Sequence, residues 1–408
     1  MGDFLVYHRD VQTGIVTGQY VPENLTFGIR NSEPGEISYE VPLSEPFLRR
    51  EEFGPYRTDY QLYRRGGSGQ YSLITEGMLT SVNLNGDRDS VLLAGKDWIH
   101  YLERRVYPFN PVLYRNGGWV DWPKQWPNIN PDTMLVDDAD PVEVRDIVEG
   151  ILEAMNESRL PSLPQVPADT FARGQLGIIF NNKATGSLTK YKIFPGDSTT
   201  IYDHIKKLSE MTDGFEFDII PQSLEFKMWS PDRLGDQPVY RFKGVGTELT
   251  GQVVEADWTN DGPEGTVLLG LGTADRKAGA QWHYRPSVDL YRWLDKVYDF
   301  GELSFTEKLI SGEISAEDML LRMLKDQDDL FPQRKLAISL LNPEFLSPSF
   351  YTAGRPRALI GKRIHFYHEW SPYWIVDSDY RVNAINWSVD QNGNEEVELE
   401  LEIIYEET

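Results

Sequence analysis

The stretch from Tyr380 to Ile403, YRVNAINWSVDQNGNEEVELELEI, decides the fold of the chain. Its second half alternates apolar and acidic residues, which is the pattern of a β-strand with one face in water. Between the two halves, Asn392-Gly393 supplies the residue types that a tight hairpin turn requires. The stretch is therefore predicted to be an antiparallel β-hairpin.

The first strand of this hairpin contains a change of phase. Its apolar residues lie on one parity up to Val382 and on the other parity from Ile385 onward. A β-bulge near Ala384 would bring both sets to the same face of the sheet, because it adds one residue to one strand only.

A similar unit occurs early in the chain. Residues 79–95, LTSVNLNGDRDSVLLAG, place Asn85-Gly86 between two apolar runs, as Asn392-Gly393 is placed later. The N-terminal stretches YHRDVQTGIVTGQY and ISYEVPL also predict short strands. The expected fold is mainly β with an α+β insertion: two related β-barrel-like domains flank a helix-containing middle region.

Three amphipathic helices are predicted in the middle. The first spans residues 141–155, with Asp140 as its cap, Pro141 at the first helical position and Glu143 reaching back. The second spans about 201–211 and stops before the strand FEFDII. The third spans about 315–329 and ends before Pro332.

The proline-rich stretch RLPSLPQVPAD, residues 159–169, predicts an extended crossing between subdomains. We expect a first β-barrel domain at 1–110 and a middle α+β region at 111–245 that continues at 280–335. The second β-barrel domain is expected at 246–279 and 336–408.

Composition excludes several functions. The 408 residues include no cysteine, which rules out disulfides, thiolate metal sites and thiol nucleophiles. The formal net charge of −24 argues against binding to DNA or RNA, because phosphate backbones would be repelled. No signal peptide, membrane span or other membrane anchor is expected from the sequence.

Motifs of enzymes and cofactor sites are not found in the sequence. There is no phosphate loop, no zincin motif and no serine-hydrolase elbow. In VLLGLGTAD, Gly270 and Gly272 are followed by Asp275 in place of a third glycine, so a loop is favoured over a dinucleotide site. We therefore predict no catalytic residue, no metal site and no cofactor.

Two further groups of possible metal ligands are better explained by structural roles. His365 and His368 should lie on opposite faces of one strand, so hydrogen-bonded histidines are favoured over ligands of one metal ion. The Asp and Asn residues near 85–89 and 390–394 coincide with the predicted turns, which favour these residue types for backbone reasons. Turns are therefore favoured over calcium loops.

Three tryptophans lie in the segment NGGWVDWPKQWPNINP. Trp119, Trp122 and Trp126 stand among Gly and Pro residues without a regular period, which predicts an aromatic loop. Such rings can stack on sugars or pack against another domain or subunit. Packing is favoured, because a sugar site would also need a visible set of polar groups.

The order of these pieces resembles the tail-hub proteins of tailed bacteriophages, and most of all minor tail proteins of siphophages that infect actinobacteria. Four stretches carry the resemblance, and together they spread over most of the chain. They are LVYHRDVQTGIVTGQ with EISYEVPL; VLLAGKDWIHYLERRVY; TTIYDHIKKLSEMTDGFEFDI; and TVLLGLGTAD followed later by YRVNAINWSVDQNGNEEVELEL.

The resemblance implies a trimeric ring in which two related barrels per chain give pseudo-sixfold symmetry. It implies a channel through which the tape-measure protein and then DNA pass. The acidic residues would then form a wall that does not hold DNA, or they serve only solubility. Because the chain ends at Thr408, we expect a structural protein without a lytic extension.

The leading functional hypothesis is a structural virion protein, not an enzyme. It would be the homotrimeric hub of the tail tip, made in the host cytoplasm, and would contact the distal tail protein, the tape-measure protein and other minor tail or receptor-binding proteins. Interface candidates are Trp119, Trp122 and Trp126 and the segment from Gly270 through Gly272 to Asp275. The alternatives are a distal tail ring protein and a carbohydrate-binding or carbohydrate-degrading tail protein.

Overall fold

A computed structural model describes the chain as mainly β-structure. The described residues form one fourteen-stranded sheet, several small sheets and three α-helices, which confirms the predicted fold class. These residues are 4–49, 53–65, 69–84, 89–106, 112–115, 118–121, 142–157, 176–183, 185–189, 199–210, 214–229, 237–245, 248–249, 253–261, 267–271, 279–283, 295–299, 333–341, 359–372 and 374–404.

The strands and helices have the following bounds. The first part contains β1 Phe4–Asp10, β2 Val16–Tyr20, β3 Glu23–Arg30, β4 Glu36–Pro42, a 3-10 helix Pro46–Arg49, β5 Thr58–Arg65, β6 Tyr71–Leu84, β7 Ser90–Asp97 and α1 Ile99–Glu103. The middle part contains β8 Val112–Arg115, β9 Gly118–Asp121, β10 Val142–Glu143, α2 Val144–Glu157, β11 Ile179–Phe180, β12 Leu188–Thr189, α3 Ile201–Ser209, β13 Glu216–Ile220 and β14 Glu225–Trp229. The last part contains β15 Tyr240–Val245, β16 Glu248–Leu249, β17 Val253–Asp261, β18 Val267–Leu271, β19 Gly279–His283, β20 Asp295–Asp299, β21 Gln333–Leu341, β22 Arg363–Ser371, β23 Trp374–Val389 and β24 Glu395–Ile403.

The large sheet consists of two units with the same strand order. Unit 1 runs β3-β4-β7-β6-β5-β1-β2, and unit 2 runs β17-β21-β24-β23-β22-β15-β16. Corresponding neighbours are antiparallel in both units, except that β15 is parallel to β22 whereas β1 is antiparallel to β5. The predicted relation between the two hairpins, β6–β7 and β23–β24, is therefore part of a duplication of seven strands.

The correspondence extends to single residues. β6 has a bulge at Thr80, and β23 has one at Asn383, which confirms the bulge predicted near Ala384. Counted from these bulges, Leu84 of β6 corresponds to Trp387 of β23. A row of paired residues starts beside each bulge and crosses four strands: Leu79, Gly95, Ile37 and Phe27 in unit 1, and Val382, Leu401, Leu336 and Trp258 in unit 2. Phe27 of β3 therefore corresponds to Trp258 of β17.

The two units are joined within the chain by β3 and β23, which pair antiparallel from Leu25–Val389 to Arg30–Ala384. The inward residues of both units belong to one continuous hydrophobic cluster. β15 lies within the predicted middle region, 111–245, yet it pairs with β22 of unit 2. The full set of domain limits stays a prediction.

A second hydrophobic cluster holds the α+β unit together. The first predicted helix is amphipathic as expected: the apolar face of α2 is buried and packs with the inward residues of α3, β13 and β14. Thr200 caps α3 and forms a capping box with Asp203, and the helix ends at Ser209, close to the predicted end. The predicted third helix, 315–329, and the proline-rich stretch, 159–169, lie outside the described residues.

The start of α2 was predicted wrongly. The helix begins at Val144, because Val142 and Glu143 pair as a strand with β12. The Glu143 carboxylate accepts hydrogen bonds from Thr185 and Gly186 across that pairing and does not reach back as a helix cap. Asp140 and Pro141 lie outside the described residues.

Candidate subunit interface

The aromatic segment predicted as a loop contains a β-hairpin instead. β9, which includes Trp119, pairs antiparallel with β8, and Trp119 lies opposite Tyr114. The two strands, Val112–Arg115 and Gly118–Asp121, are four residues long each, and neither has the alternation that would have indicated a strand in the sequence. Trp122 and Trp126 lie outside the described residues.

The glycine segment was also assigned to a loop, which is wrong at Gly270. Gly270 lies in β18, with β19 antiparallel on one side and β20 parallel on the other. Gly272 and Asp275 lie outside the described residues. Thus the structure brings none of the predicted interface candidates together among the residues that it describes.

The junction between unit 1 and unit 2 is formed by the pairing of β3 with β23. Phe27 of β3 lies opposite Trp387 of β23, and their rings stack at 5.5 Å with an interplanar angle of 8°. Trp387 is 1% exposed and belongs, with Phe27, to the large hydrophobic cluster. The stacked pair therefore closes the core across the boundary of the two units.

Charged groups reinforce this junction. Arg64 of β5 donates to the Glu395 carboxylate at 2.7 Å, and the Trp387 indole N–H donates to the same carboxylate at 3.1 Å. The Arg64 guanidinium also lies 5.4 Å from the centre of the Trp387 ring. Arg64 and Glu395 are only 15% and 12% exposed, so their ion pair is shielded from water and contributes more than a surface pair would.

The corresponding position in unit 1 has a different environment. Leu84 corresponds to Trp387 but is 72% exposed. Among the described residues, the end of β6 from 81 to 84 pairs with β7 alone, and β17, which corresponds to β3, pairs with β21 alone. The two strand surfaces that form the junction inside the chain thus have equivalents in β6 and β17, which do not pair with each other.

The outer face beside the junction carries an open cleft of about 660 Å3. Thr26 and Ser38 are hydrogen bonded there at 2.7 Å, and Asn386 donates to Glu400 at 2.7 Å. The outward residues of β24 and β17 add a row of carboxylates on the same face: Glu396, Glu398, Glu400, Glu402, Glu255 and Asp257. This face is strongly acidic.

A second junction attaches the α+β unit to both β-units. The Glu216 carboxylate at the start of β13 forms an ion pair with Arg381 of unit 2 and accepts from the Asn31 amide of unit 1 at 2.9 Å. Ser32 accepts from the Phe217 backbone N–H at 3.0 Å. Burial lowers the pKa of Arg381, while the nearby Glu402 opposes this, and the guanidinium stays charged. All three units therefore meet at one charged contact.

Buried acids lie at another contact, between unit 1 and the α+β unit. Glu76 accepts from the Gln61 amide at 2.8 Å, from the Trp98 indole at 3.1 Å and from the backbone N–H of Gln222. Burial raises the pKa of nearby Asp59 to about 6, although its ion pair with Arg9 opposes the shift. Glu76 is thus occupied by donors from unit 1 and the α+β unit.

The opposite faces predicted for His365 and His368 and the turn predicted at 390–394 are confirmed, whereas residues 85–88 of the other predicted turn lie outside the described residues. His368 is buried, whereas His365 lies on the other face and bonds Asp379 at 2.8 Å, at the position that corresponds to the Gln61–Glu76 bond. Asp390 accepts from the backbone N–H groups of Asn392 and Asn394, as a turn requires. Among the described residues, no group of three or more His, Asp or Glu side chains could hold a metal ion, and no described helix is long and apolar enough to cross a membrane.

Sequence reasoning missed the residues that form the junction. Phe27, Arg64 and Trp258 were not singled out, because nothing local distinguishes them from other residues of strands. A signal existed in the hairpin similarity: aligning Asn83-Leu84 with Asn386-Trp387 would have shown two equivalent apolar positions before the two turns.

Comparisons with known proteins identify the fold. No family model matches the chain, and no curated protein matches it in sequence. Among solved structures, a tail protein from Neisseria meningitidis MC58 is similar over 98% of this chain and 96% of its own, with 12% identity and a TM-score of 0.58.

Two further tail proteins have the same fold. The 43 kDa tail protein of prophage MuSo2 from Shewanella oneidensis covers 97% of each chain, with 10% identity and a TM-score of 0.57. Prophage tail protein gp18 from Listeria monocytogenes EGD-e covers 98% of this chain and 94% of its own, with 12% identity and a TM-score of 0.51. The chain therefore has the fold of phage tail proteins over nearly its whole length.

Proposed function

We propose that the chain is the central hub of a phage tail tip. It is a structural, non-enzymatic component of the virion and acts as a homotrimer. It joins a sixfold tail to threefold tip proteins and surrounds the channel through which DNA leaves. The observation that carries this proposal is the duplication of seven strands with one residue-level register.

The duplication supports the hub because of symmetry. Three copies of a chain with two similar units present six similar units, so such a trimer can match a sixfold ring on one side and a threefold tip on the other. The fold shared with three phage tail proteins supports the same setting. A chain with one such unit would lack this property.

The partners follow from this position in the tail tip. They are the distal tail protein, the tape-measure protein and other minor tail or receptor-binding proteins, and DNA is present only in transit. The hairpin with Trp119 and the segments with Trp122 and Trp126, and with Gly270, Gly272 and Asp275, are proposed contacts with these proteins. The likeness to minor tail proteins of actinobacterial siphophages is part of the same proposal.

The acidic outer face is consistent with such a channel. The carboxylates of β24 and β17 form a negative surface, and a surface of this sign does not retain a phosphate backbone. We propose that this face contributes to the channel wall.

The test is the molar mass of the purified protein by light scattering over a wide range of concentration. One chain has a mass of 46.9 kDa, so a trimer is expected at about 141 kDa. A hexamer would favour a distal tail ring protein instead. A monomer that retains or cleaves host cell-wall polysaccharide would favour the carbohydrate-active alternative and contradict the hub.

A further inference from the structure

We infer that neighbouring copies of this chain join by pairing β17 of one copy with residues 81–84 of β6 of the next copy. In this contact, Trp258 covers Leu84 of the next copy as Phe27 covers Trp387 within the chain. The inference rests on the proposed function and specifies the surfaces that form its trimer.

The contact inside the chain supplies the template. β3 pairs antiparallel with the last part of β23, beyond the bulge at Asn383. β17 corresponds to β3, and the last part of β6, beyond the bulge at Thr80, corresponds to that part of β23. Equivalents of both surfaces therefore exist in β6 and β17, which are separated in the sheet by β7, β4, β3, β23, β24 and β21 and would meet between copies.

The edges of β6 and β23 carry equivalent hydrogen bonds just before their bulges. Tyr56 donates its backbone N–H to the carbonyl of Leu79 at 2.7 Å, and Gly361 donates to the carbonyl of Val382 at 2.8 Å. In both units, this edge of the long strand is therefore hydrogen bonded within the chain up to the bulge. Beyond it, β23 has β3 as a partner, whereas among the described residues β6 has β7 only.

Exposure identifies Leu84 as the position that is left uncovered. Leu84 is the most exposed of the large apolar side chains that the structure describes, at 72%, although the corresponding Trp387 is 1% exposed. Exposed edges of sheets promote unwanted pairing, so proteins usually cover them. A second copy of this chain is the occupant because its β17 already has the strand order and register of β3.

The register defines one pair of directly opposed residues on the outer face of the sheet. Within the chain, Gly28 faces Asn386, so closely that a Cβ on Gly28 would lie 3.0 Å from the Asn386 side-chain oxygen. The corresponding pair between copies is Thr259 and Asn83, two polar residues of moderate size. The contact joins β17 of one copy to a different surface, β6, of the next copy, so it is heterologous and can close into a ring.

The absence of cysteine allows a direct test by disulfide cross-linking. Cα atoms of directly opposed residues are about 4.5–5.5 Å apart, which suits a disulfide. The variant with Thr259→Cys and Asn83→Cys should give covalent dimers and trimers on a non-reducing gel after mild oxidation. Gly28→Cys with Asn386→Cys is the positive control, because it should form its disulfide within one chain.

An off-register variant tests specificity. Glu255→Cys with Asn83→Cys places the second thiol on the same face of β17 but four residues away, roughly 13 Å along the strand, and should not cross-link. Equal cross-linking of both variants would contradict the inferred register.

A substitution at the covered position provides a second measurement. Leu84→Asp should raise the dissociation constant of the trimer at least about tenfold, because a carboxylate would be buried against the next copy. The monomer should stay folded, since Leu84 is exposed in it. Ile179→Asp, at another exposed apolar residue of a strand, is the control and should leave the trimer unchanged.

The outcomes separate this inference from the proposed function. A wild-type trimer without the Thr259–Asn83 cross-link, or with unchanged assembly of the Leu84→Asp variant, overturns the inferred contact and leaves the hub standing. Cross-links in a hexamer support the contact but overturn the trimeric hub. A monomer without cross-links at all concentrations overturns both.

Discussion

Leu84 and Trp387 occupy the same position in two copies of one structural unit, yet one is exposed and the other is buried. The difference arises from the neighbour and not from the unit, because Trp387 has Phe27 against it and the Arg64–Glu395 pair beside it. At this scale, a single exposed leucine is informative only because its equivalent shows what should cover it.

His8 offers a prediction about pH at the same scale. It is fully buried among aromatic rings and bonds the Tyr39 hydroxyl at 2.8 Å. Burial lowers its pKa to about 3. The unfolded chain takes up a proton near pH 6.5 but the folded chain does not, so this residue's contribution to stability is complete above pH 6.5 and decreases as the pH falls toward 3.

The variant His8→Phe should lack this dependence. Between pH 7 and pH 4, the wild type should lose about 3 kcal/mol more unfolding free energy than the variant. Urea unfolding of both proteins at the two pH values measures the difference, and subtraction removes contributions from other groups such as Asp59. Identical losses in the two proteins would show that His8 is not held neutral.

The elements that decide the architecture are the two long strands, β6 and β23. Each pairs with one strand along its first half, β5 or β22, and with another along its second half, β7 or β24, and the second half of β23 also pairs with β3. The bulge at Thr80 or Asn383 lies two residues after the last pair with the first partner. The bulge restores the inward direction of apolar residues after the change, because a shift of one residue would turn them to the outer face.

Deletion of Asn383 should therefore abolish cooperative folding of unit 2. Without the bulge, either Tyr380 and Val382 or Ile385 and Trp387 must leave the core, and all four are at most 1% exposed. Near-UV circular dichroism and a thermal melt measure this. Asn383→Thr, which copies the residue of the equivalent bulge, is the matched control and should change stability by no more than about 1 kcal/mol. A cooperative melt of the deletion variant would contradict the role of the bulge.

At the scale of the whole molecule, electrostatic repulsion between the chains opposes their assembly. Each chain carries a formal charge of −24, so three chains repel one another unless salt screens them. The Debye length falls from about 30 Å at 0.01 M to about 10 Å at 0.1 M ionic strength. The trimer should therefore become tighter as salt is added.

Sedimentation equilibrium in 10 mM and 300 mM sodium chloride tests this expectation. We expect the dissociation constant of the trimer to fall several-fold at the higher concentration, since screening reduces the repulsion between chains. Potassium chloride at the same ionic strength should have the same effect, which separates screening from binding of a particular ion. Dissociation at high salt would indicate that attractive charge pairs dominate the interface.

Local patterns predicted much of this structure and little of its interface. The hairpin around Asn392-Gly393, the bulge after Val382 and the buried stripe of α2 were correct, because each depends on residues near one another in the chain. The start of α2 was missed because Val142 and Glu143 pair with β12, which is distant in sequence. Trp119 and Gly270 were misassigned because short strands depend on their neighbours for stability.

The sequence by itself determined the class of the fold, the turn at Asn392-Gly393, the bulge near Ala384 and the similarity of the two hairpins, since periodicity and turn chemistry are local properties. The tertiary structure alone decided that Phe27 lies on Trp387 and that Leu84 has no such cover in one chain. The reason is that pairing of strands is a non-local choice: β3 and β23 are separated by most of the chain, and only their positions in the folded sheet show which edges have a partner strand among the described residues.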